Sequence, residues 1–341
     1  MWLETRRGGL VVLFAVLSSL SIVAAQETVY VNASNCPAPH PANPFCAIQD
    51  AICYLKNNVP AGGTVYVRPG TYAEAIRVFG GISVISTDGP AVTTINAAGR
   101  PCFKSDCTVN TATTSCAAVQ STSVGGVGQT AADHIEGFHI IGGSGYVWTT
   151  TPIAAVGGGI FVWGNSSPTI TRNEIVGNTL ASTATKAFYG GGIYVDSNIP
   201  GGTPAAHPVI TKNLIEGNIV DPPDGNGGGP SYGIGAGIYS GPDAAPLIDD
   251  NTIRNNRSGD YAKSHQVGTG GGIAMYGRAA AGTPTVSKNT IQGNIAVNWG
   301  GGLQAGGSLQ ATYVGGVGVV QKTGELYRAV DLNRISTAGR W

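Results

Sequence analysis

Charge is scarce in this chain: 11% of its 341 residues are Asp, Glu, Lys or Arg, with 19 basic residues against 19 acidic ones. A tract able to neutralise a run of phosphates is missing, which argues against nucleic acid as a partner. Histidine occurs five times, scattered, and there is no Cys-x-x-Cys, so a Cys/His zinc site is not expected and no metal site is assigned. Aromatic residues make up only 7% while 42% of the chain is hydrophobic, enough apolar material for a large core. After residue 25 no apolar run is long enough to cross a bilayer. What is abundant is glycine, 53 residues without a three-residue period, which excludes collagen and calls for many tight turns.

Arg6 and Arg7 precede an apolar run from Leu10 to Ala25 that closes on Val23-Ala24-Ala25. This pattern reads as a secretory signal over residues 1–25, cleaved after Ala25. The alternative, a retained anchor, is disfavoured because about 16 apolar residues fall short of the roughly 20 needed to span. The mature chain is expected to be monomeric and free of the membrane, secreted or at the cell surface, extracellular or periplasmic. Its cysteines then favour disulfides. They form two groups of three, Cys36, Cys46, Cys53 and Cys102, Cys107, Cys116, so full pairing needs at least one bond between the groups.

The second half repeats. Gly157-Gly158-Gly159-Ile160-Phe161-Val162 is followed by Pro168 to Asn178, and the pair returns as Gly190 to Val195 with Pro208 to Asn218. Further copies run from Gly235 to Ser240 with Pro246 to Asn256, and from Gly270 to Met275 with Pro284 to Asn294; Gly300-Gly301-Gly302-Leu303 begins a fifth. Such a period marks a solenoid. Alternation places Ile160, Ile193, Ile238 and Ile273 inside, with Val162, Val195 and Met275, and places Phe161, Tyr194 and Tyr239 outside. A second strand buries Ile170, Ile210, Ile248 and Val286, and a third Ile175, Ile215, Ile253 and Ile291. Three short strands per turn make an all-β parallel β-helix with stacked isoleucine columns. Asn173, Asn213, Asn251 and Asn289 form one further column and Asn178, Asn218, Asn256 and Asn294 another, read as ladders whose Asn residues take the left-handed bend and bond the next coil.

Upstream, Thr28 to Val31 and Thr64 to Val67 read as strands, and residues 46–57 as an amphipathic helix on the spacing of Ala47, Ile48, Ala51, Ile52 and Leu55. The run Ile48-Gln49, Ala51-Ile52, Gly63-Thr64-Val65-Tyr66-Val67, Pro69-Gly70-Thr71-Tyr72 and Glu74 resembles the opening of secreted right-handed parallel β-helix proteins of the pectin-lyase-like superfamily. The resemblance implies a right-handed, single-chain β-helix over residues 26–305 whose first coil is covered by the helix. Residues 26–63 are then the cap, 101–131 an excursion from the coil, 157–303 the triple-glycine repeats, and 306–341 an irregular tail or truncated end.

Connections after the third strand, Thr179 to Tyr189, Ile219 to Ile234 and Arg257 to Thr269, are unequal and leave the coil on one side. They are expected to pile into an irregular wall, the usual binding face of a solenoid. Its Tyr189, Tyr232 and Tyr261, with the column Phe161, Tyr194 and Tyr239, are the candidate carbohydrate-binding residues, since sugar C–H faces pack on aromatic rings. A purely supporting role for the stacked column is the competing reading. On the strands, Arg172, Lys212, Asp250 and Lys288 stack in one outward column, and Glu216 faces Arg254 in another. Asp249 stands where the other coils have Thr171, Thr211 and Ser287.

Lyases of the resembled superfamily abstract a proton beside a uronic carboxylate with a basic residue, often with calcium. Lys212, Asp249, Asp250 and Lys288 are the nearest match, and calcium is the one cofactor a lyase would bring; otherwise none is expected. The Asn-Thr-Asp, Gly-His-Gly and Arg-Ile-Lys motifs of polygalacturonases are missing. Two functions therefore stay open: a secreted protein binding or processing polysaccharide, and a non-catalytic structural or adhesive surface solenoid. Sequons at Asn32, Asn165 and Asn256 matter only in a eukaryotic host.

Overall fold

A computed structural model describes residues 25–34, 44–110, 115–148, 154–181, 187–197, 206–224, 231–263, 265–277, 282, 284–307 and 312–314. All but the last residue of the signal expected over residues 1–25, Lys186 in the first connection (Thr179 to Tyr189) and most of the tail expected over residues 306–341 fall outside them.

One repeat shows how the coil is made. Ile160–Trp163, Thr169–Thr171 and Glu174–Val176 each pair in parallel with the equivalent strand of the next coil, Ile193–Asp196, Val209–Thr211 and Leu214–Glu216. Repetition builds three parallel sheets: sheet A of nine strands beginning at Glu27–Val31, sheet B of seven beginning at Gly70–Tyr72, and sheet C of seven beginning at Ile76–Val78. Registers are one-to-one, Ile160 to Ile193 to Ile238 to Ile273 in sheet C and Ile170 to Ile210 to Ile248 to Val286 in sheet A. All but Val286 of these are fully buried. At about 1.5–3 kcal/mol per buried aliphatic side chain, these columns are what close the coil.

In the triple-glycine coils two more sheets complete the turn. Sheet D stacks Thr179–Leu180, Ile219–Val220, Arg257–Ser258 and Ile295–Ala296. Sheet E stacks Tyr146–Trp148, Ala154–Val156, Ala187–Tyr189, Ser231–Ile234 and Gln266–Thr269. The coil thus runs C, A, B, D, E, then through the triple glycine back to C, and the expectation of three strands per turn is corrected to five. The first glycine of the triplet takes the left-handed turn, with φ 61° at Gly157 and 70° at Gly190.

Both asparagine columns are ladders, with one correction. The left-handed residue is the one before each Asn: Arg172, Lys212, Asp250 and Lys288 at the A–B corner (φ 53° to 57°), and Gly177, Gly217, Asn255 and Gly293 at the B–D corner (φ 56° to 64°). The Asn side chain itself must turn inward to reach the next coil. Asn218 Oδ1 accepts from the backbone N–H of Asn178 (3.0 Å) and its Nδ2 (3.1 Å), while Asn218 Nδ2 donates to the Ile175 carbonyl (2.9 Å). Asn256 is fully buried in the same column, so its sequon is shut inside the ladder.

The cap is α1 (Ile48–Asn58), which packs Ile48, Ala51, Ile52 and Leu55 against the first strands of sheets A and C. Ala47, at its N-terminus, has no capping side chain. Glu74 supplies one from a distance, its two carboxylate oxygens accepting the N–H groups of Ile48 and Gln49 at 2.9 Å each. Gln49 in turn mimics a neighbouring strand: its Oε1 accepts from Arg77 N–H (2.6 Å) and its Nε2 donates to the Arg77 carbonyl (3.3 Å), closing the open edge of sheet C. The strand Glu27–Val31, placed in the cap by sequence, is a rung of sheet A. Likewise Val119–Thr122, within the expected excursion over 101–131, is a rung of sheet C, and Thr312–Val314, in the expected tail, is a rung of sheet A.

Cys53–Cys107 joins the two cysteine groups, tying α1 to the segment after Arg100, and Cys102–Cys116 closes that segment; Cys46 is also disulfide-bonded. Disulfides persist in oxidising compartments, which sets the chain outside the reducing cytosol. No described helix is long and apolar enough to cross a membrane.

Burial raises the Glu74 carboxyl from 4.5 to about 7, against the opposing pull of its two N–H donors and with Asp50 adding to the rise. A raised carboxyl contributes stability that is complete below about 4.5 and is lost as pH climbs through about 7. The melting temperature is therefore expected to fall across that window, by an amount set by roughly 3 kcal/mol. In Glu74→Gln this part of the pH dependence should vanish; thermal melts on both sides of the window test it, and an unchanged slope in the variant would contradict it.

Candidate functional site

Phe161, Tyr194 and Tyr239 point away from the coil's core, as alternation requires, yet they are only 4%, 4% and 8% exposed. Sheet E lies over them. Ala154, Val156, Ala187, Tyr189 and Ile234 pack on the aromatic column, while Ala155 and Phe188 on the other face of sheet E pack on Leu180 and Val220 of sheet D. The rings stack on one another, with centroids 5.5 Å apart for Phe161–Tyr194 and 5.2 Å for Tyr194–Tyr239, and Tyr189 leans on Tyr239 at 4.9 Å. Burial pushes the Tyr194 and Tyr239 hydroxyls well above the usual tyrosine range and raises Tyr189 too. The expectation of an outward column open to sugar is thereby corrected: outward from the coil is not outward from the molecule once a second layer is laid on it. The expected irregular wall is corrected as well, since its connections begin as sheet D and end as sheet E. Tyr232 and Tyr261 do reach solvent, at 40% and 70% exposure, Tyr261 with its hydroxyl donating to the Ala296 carbonyl at 2.9 Å.

With sheet C covered, sheets A and B keep outward strand faces that no second layer covers, and the longer of the two is that of sheet A, with nine strands against seven. Thr171, Thr211, Asp249 and Ser287 are in register along it, one per coil. Asp249 shares its outward face with the exposed Leu247, on either side of buried Ile248, so the direction of Asp249 is resolved. Its Oδ1 accepts from Ser287 Oγ (2.5 Å) and lies 3.8 Å from Lys288 Nζ. Lys212 and Asp250 sit at the corner with sheet B, joined through backbone, Lys212 N–H to the Asp250 carbonyl at 3.0 Å. Neither forms an ion pair among the described residues. Of the four candidates, then, Asp249 and Lys288 meet side chain to side chain, whereas Lys212 and Asp250 border them.

The coil before the first triple glycine, whose strands are legible from Asp133 to Ile141, carries a charged cluster that the repeat pattern does not single out. There His134 and Glu136 on sheet A and His139 on sheet B occupy equivalent places. Glu136 holds His134 Nδ1 (3.0 Å) and receives Arg172 from the next coil; His139 Nδ1 is 3.1 Å from Glu174. Aligning Ile135 and Ile140 with Ile170 and Ile175 would have brought this coil into the columns.

Calcium takes six to eight oxygen ligands. The residues at the corner do not fit it, because the Asp249 carboxylate is engaged by a hydroxyl and an ammonium. Among the described residues no three His, Cys, Asp or Glu side chains converge as a metal site.

Residues 92–316 match the family described as the right handed beta helix region. The chain belongs to the right-handed β-helix family. A search of the curated proteins finds no match. Among solved structures, this β-helix is similar to Escherichia coli YbhC, with TM-score 0.40 and 11% identity over 93% of this chain and 70% of that one. It is also similar to a rice weevil pectin methyl esterase, with TM-score 0.35 and 13% identity over 69% of this chain and 63% of that one. Pectin methylesterase PemA from Erwinia chrysanthemi gives TM-score 0.34 and 11% identity over 90% and 93%. Likeness at this level assigns no residue of this β-helix a role.

Proposed function

We propose that this is a secreted β-helix protein that binds or processes extracellular polysaccharide of the uronic-acid class on the uncovered face of sheet A. One observation carries the reading. At the B–D corner the left-handed position is glycine in three coils of four, whereas at the A–B corner Arg172, Lys212, Asp250 and Lys288 occupy it. A side chain there costs roughly 1 kcal/mol that glycine would not. Charged groups are thus held in strained backbone beside the Thr, Ser and Asp249 column, where carboxylates and hydroxyls of a polymer would be met. Strand spacing of about 4.8 Å offers each successive sugar of an extended polymer a coil of its own. Recognition of the polymer draws more support than processing, because Asp249 is neutralised by its neighbours and, among the described residues, no second carboxylate is paired with it.

The other reading, a structural or adhesive surface solenoid, draws on the mutual neutralisation of neighbouring coils in Glu136–Arg172, Glu216–Arg254 and Asp249–Lys288. Electrophoresis through gels containing pectate, alginate or a neutral glucan separates the two. Retardation by the uronates is expected, with affinity lowered roughly tenfold in the double variant Lys212→Ala, Lys288→Ala. An ultraviolet assay for unsaturated uronides, with and without calcium, tests lyase chemistry. No retardation by any polymer would leave the surface solenoid standing.

A further inference from the structure

The uncovered face of sheet A has a second distinctive place, at its N-terminal end. Thr28-Val29-Tyr30-Val31 and Thr64-Val65-Tyr66-Val67 are the same tetrapeptide, and they lie residue for residue in register on neighbouring strands. All four valines are buried, so both tyrosines face outward. Their rings stack at 5.8 Å and 25°, and Tyr30 is 39% exposed. Arg68, two residues beyond Tyr66 on the same side, sets its guanidinium 6.0 Å from the Tyr30 ring. It is exposed and has no carboxylate partner among the described residues, unlike Arg172 and Arg254.

A cross-strand aromatic pair accounts for the stacking by itself. It does not account for an unpaired guanidinium kept beside an exposed ring. From the combination we infer that Tyr30, Tyr66 and Arg68 form a binding position for a carboxylated sugar ring, the C–H face on Tyr30 and the carboxylate on Arg68. Arg suits this because its planar fork meets a carboxylate with two parallel hydrogen bonds and still rests on an aromatic face.

The place is continuous with the charged corner. Register runs from Tyr30 through Tyr66, Ile85, Glu136, Thr171 and Thr211 to Asp249. Six strand steps at about 4.8 Å separate the two ends by roughly 29 Å. The inference rests on the polysaccharide reading above and adds length to it: a ligand that touches both ends must be an oligomer of several sugars, laid across the strands.

Calorimetric titration of the full chain with oligouronides of graded length tests this. Long oligomers are expected to bind at least tenfold more tightly than trimers. Arg68→Gln and Tyr30→Ser should each lower the affinity for long oligomers by about tenfold, the loss of one charge-assisted contact, while the melting temperature stays put. The corner variant Lys212→Ala, Lys288→Ala provides the contrast. Full affinity for long oligomers in both N-terminal variants, with loss in the corner variant, would overturn the second position and leave the corner reading intact. No binding by the unsubstituted chain would overturn both.

Discussion

Asn218→Ala is expected to lower the unfolding free energy by about 3–5 kcal/mol, far more than the removal of one amide would suggest. The side chain is wholly buried and serves three coils at once. Its oxygen accepts from the backbone and side chain of Asn178, and its nitrogen donates to the Ile175 carbonyl and to Asn256 Oδ1 at 3.0 Å. Alanine leaves the Asn178 N–H without an acceptor in a place water does not reach, and such an orphan costs about 1–3 kcal/mol by itself. The weakened acceptors and the small void add to it. Since each coil touches only its neighbours, the cut also separates the halves on either side. Urea denaturation should show the midpoint moving down and the transition broadening. A loss below about 1 kcal/mol would mean that the isoleucine columns alone hold the coils in register.

Gly159→Ala should cost about 2–4 kcal/mol for a different reason, space. A Cβ at Gly159 would stand 2.6 Å from the Gly192 carbonyl oxygen and 2.6 Å from Ile175 Cγ2. Both belong to the rigid stack, so the coils must part. Gly177→Ala is the comparison. Its φ of 64° makes alanine strained, but no atom lies within 4 Å of the new Cβ, so about 1 kcal/mol is expected. Thermal melts of the two variants give the order directly. If Gly177→Ala proved the more damaging, dihedral freedom rather than close approach would explain the triplet.

Much of the coil was legible because a parallel stack forces equivalent residues into line. Ile160, Ile193, Ile238 and Ile273 can be read as one column from spacing alone, and the ladders follow the same logic. The helix was legible from Ile48, Ala51, Ile52 and Leu55 at helical spacing. What spacing could not reveal was the second layer. Alternation says that Phe161 and Tyr194 leave the core, but whether they meet solvent depends on what the connections do. Those connections carried a signal, apolar triplets such as Ala154-Ala155-Val156 and Ala187-Phe188-Tyr189 set just before each triple glycine. The Glu74 cap was illegible for another reason: its partners are 25 and 26 residues away in sequence. At the candidate site, Asp249 stood out by substitution within a column, but its engagement with Ser287 and Lys288 depends on side-chain geometry.

All six cysteines precede residue 117, and the bond from Cys53 to Cys107 straps α1 and its edge-sealing Gln49 to the start of the stack. Near residue 300 the described coils present Ile295 and Trp299 at 44% and 49% exposure. Coils beside a covalent strap open less readily than coils remote from it. Hydrogen exchange should therefore be graded along the axis, slowest in the strands around Val65 and Val84 and quickest around Ile291. A crosslink at one pole thus grades the resistance of the described coils along their axis.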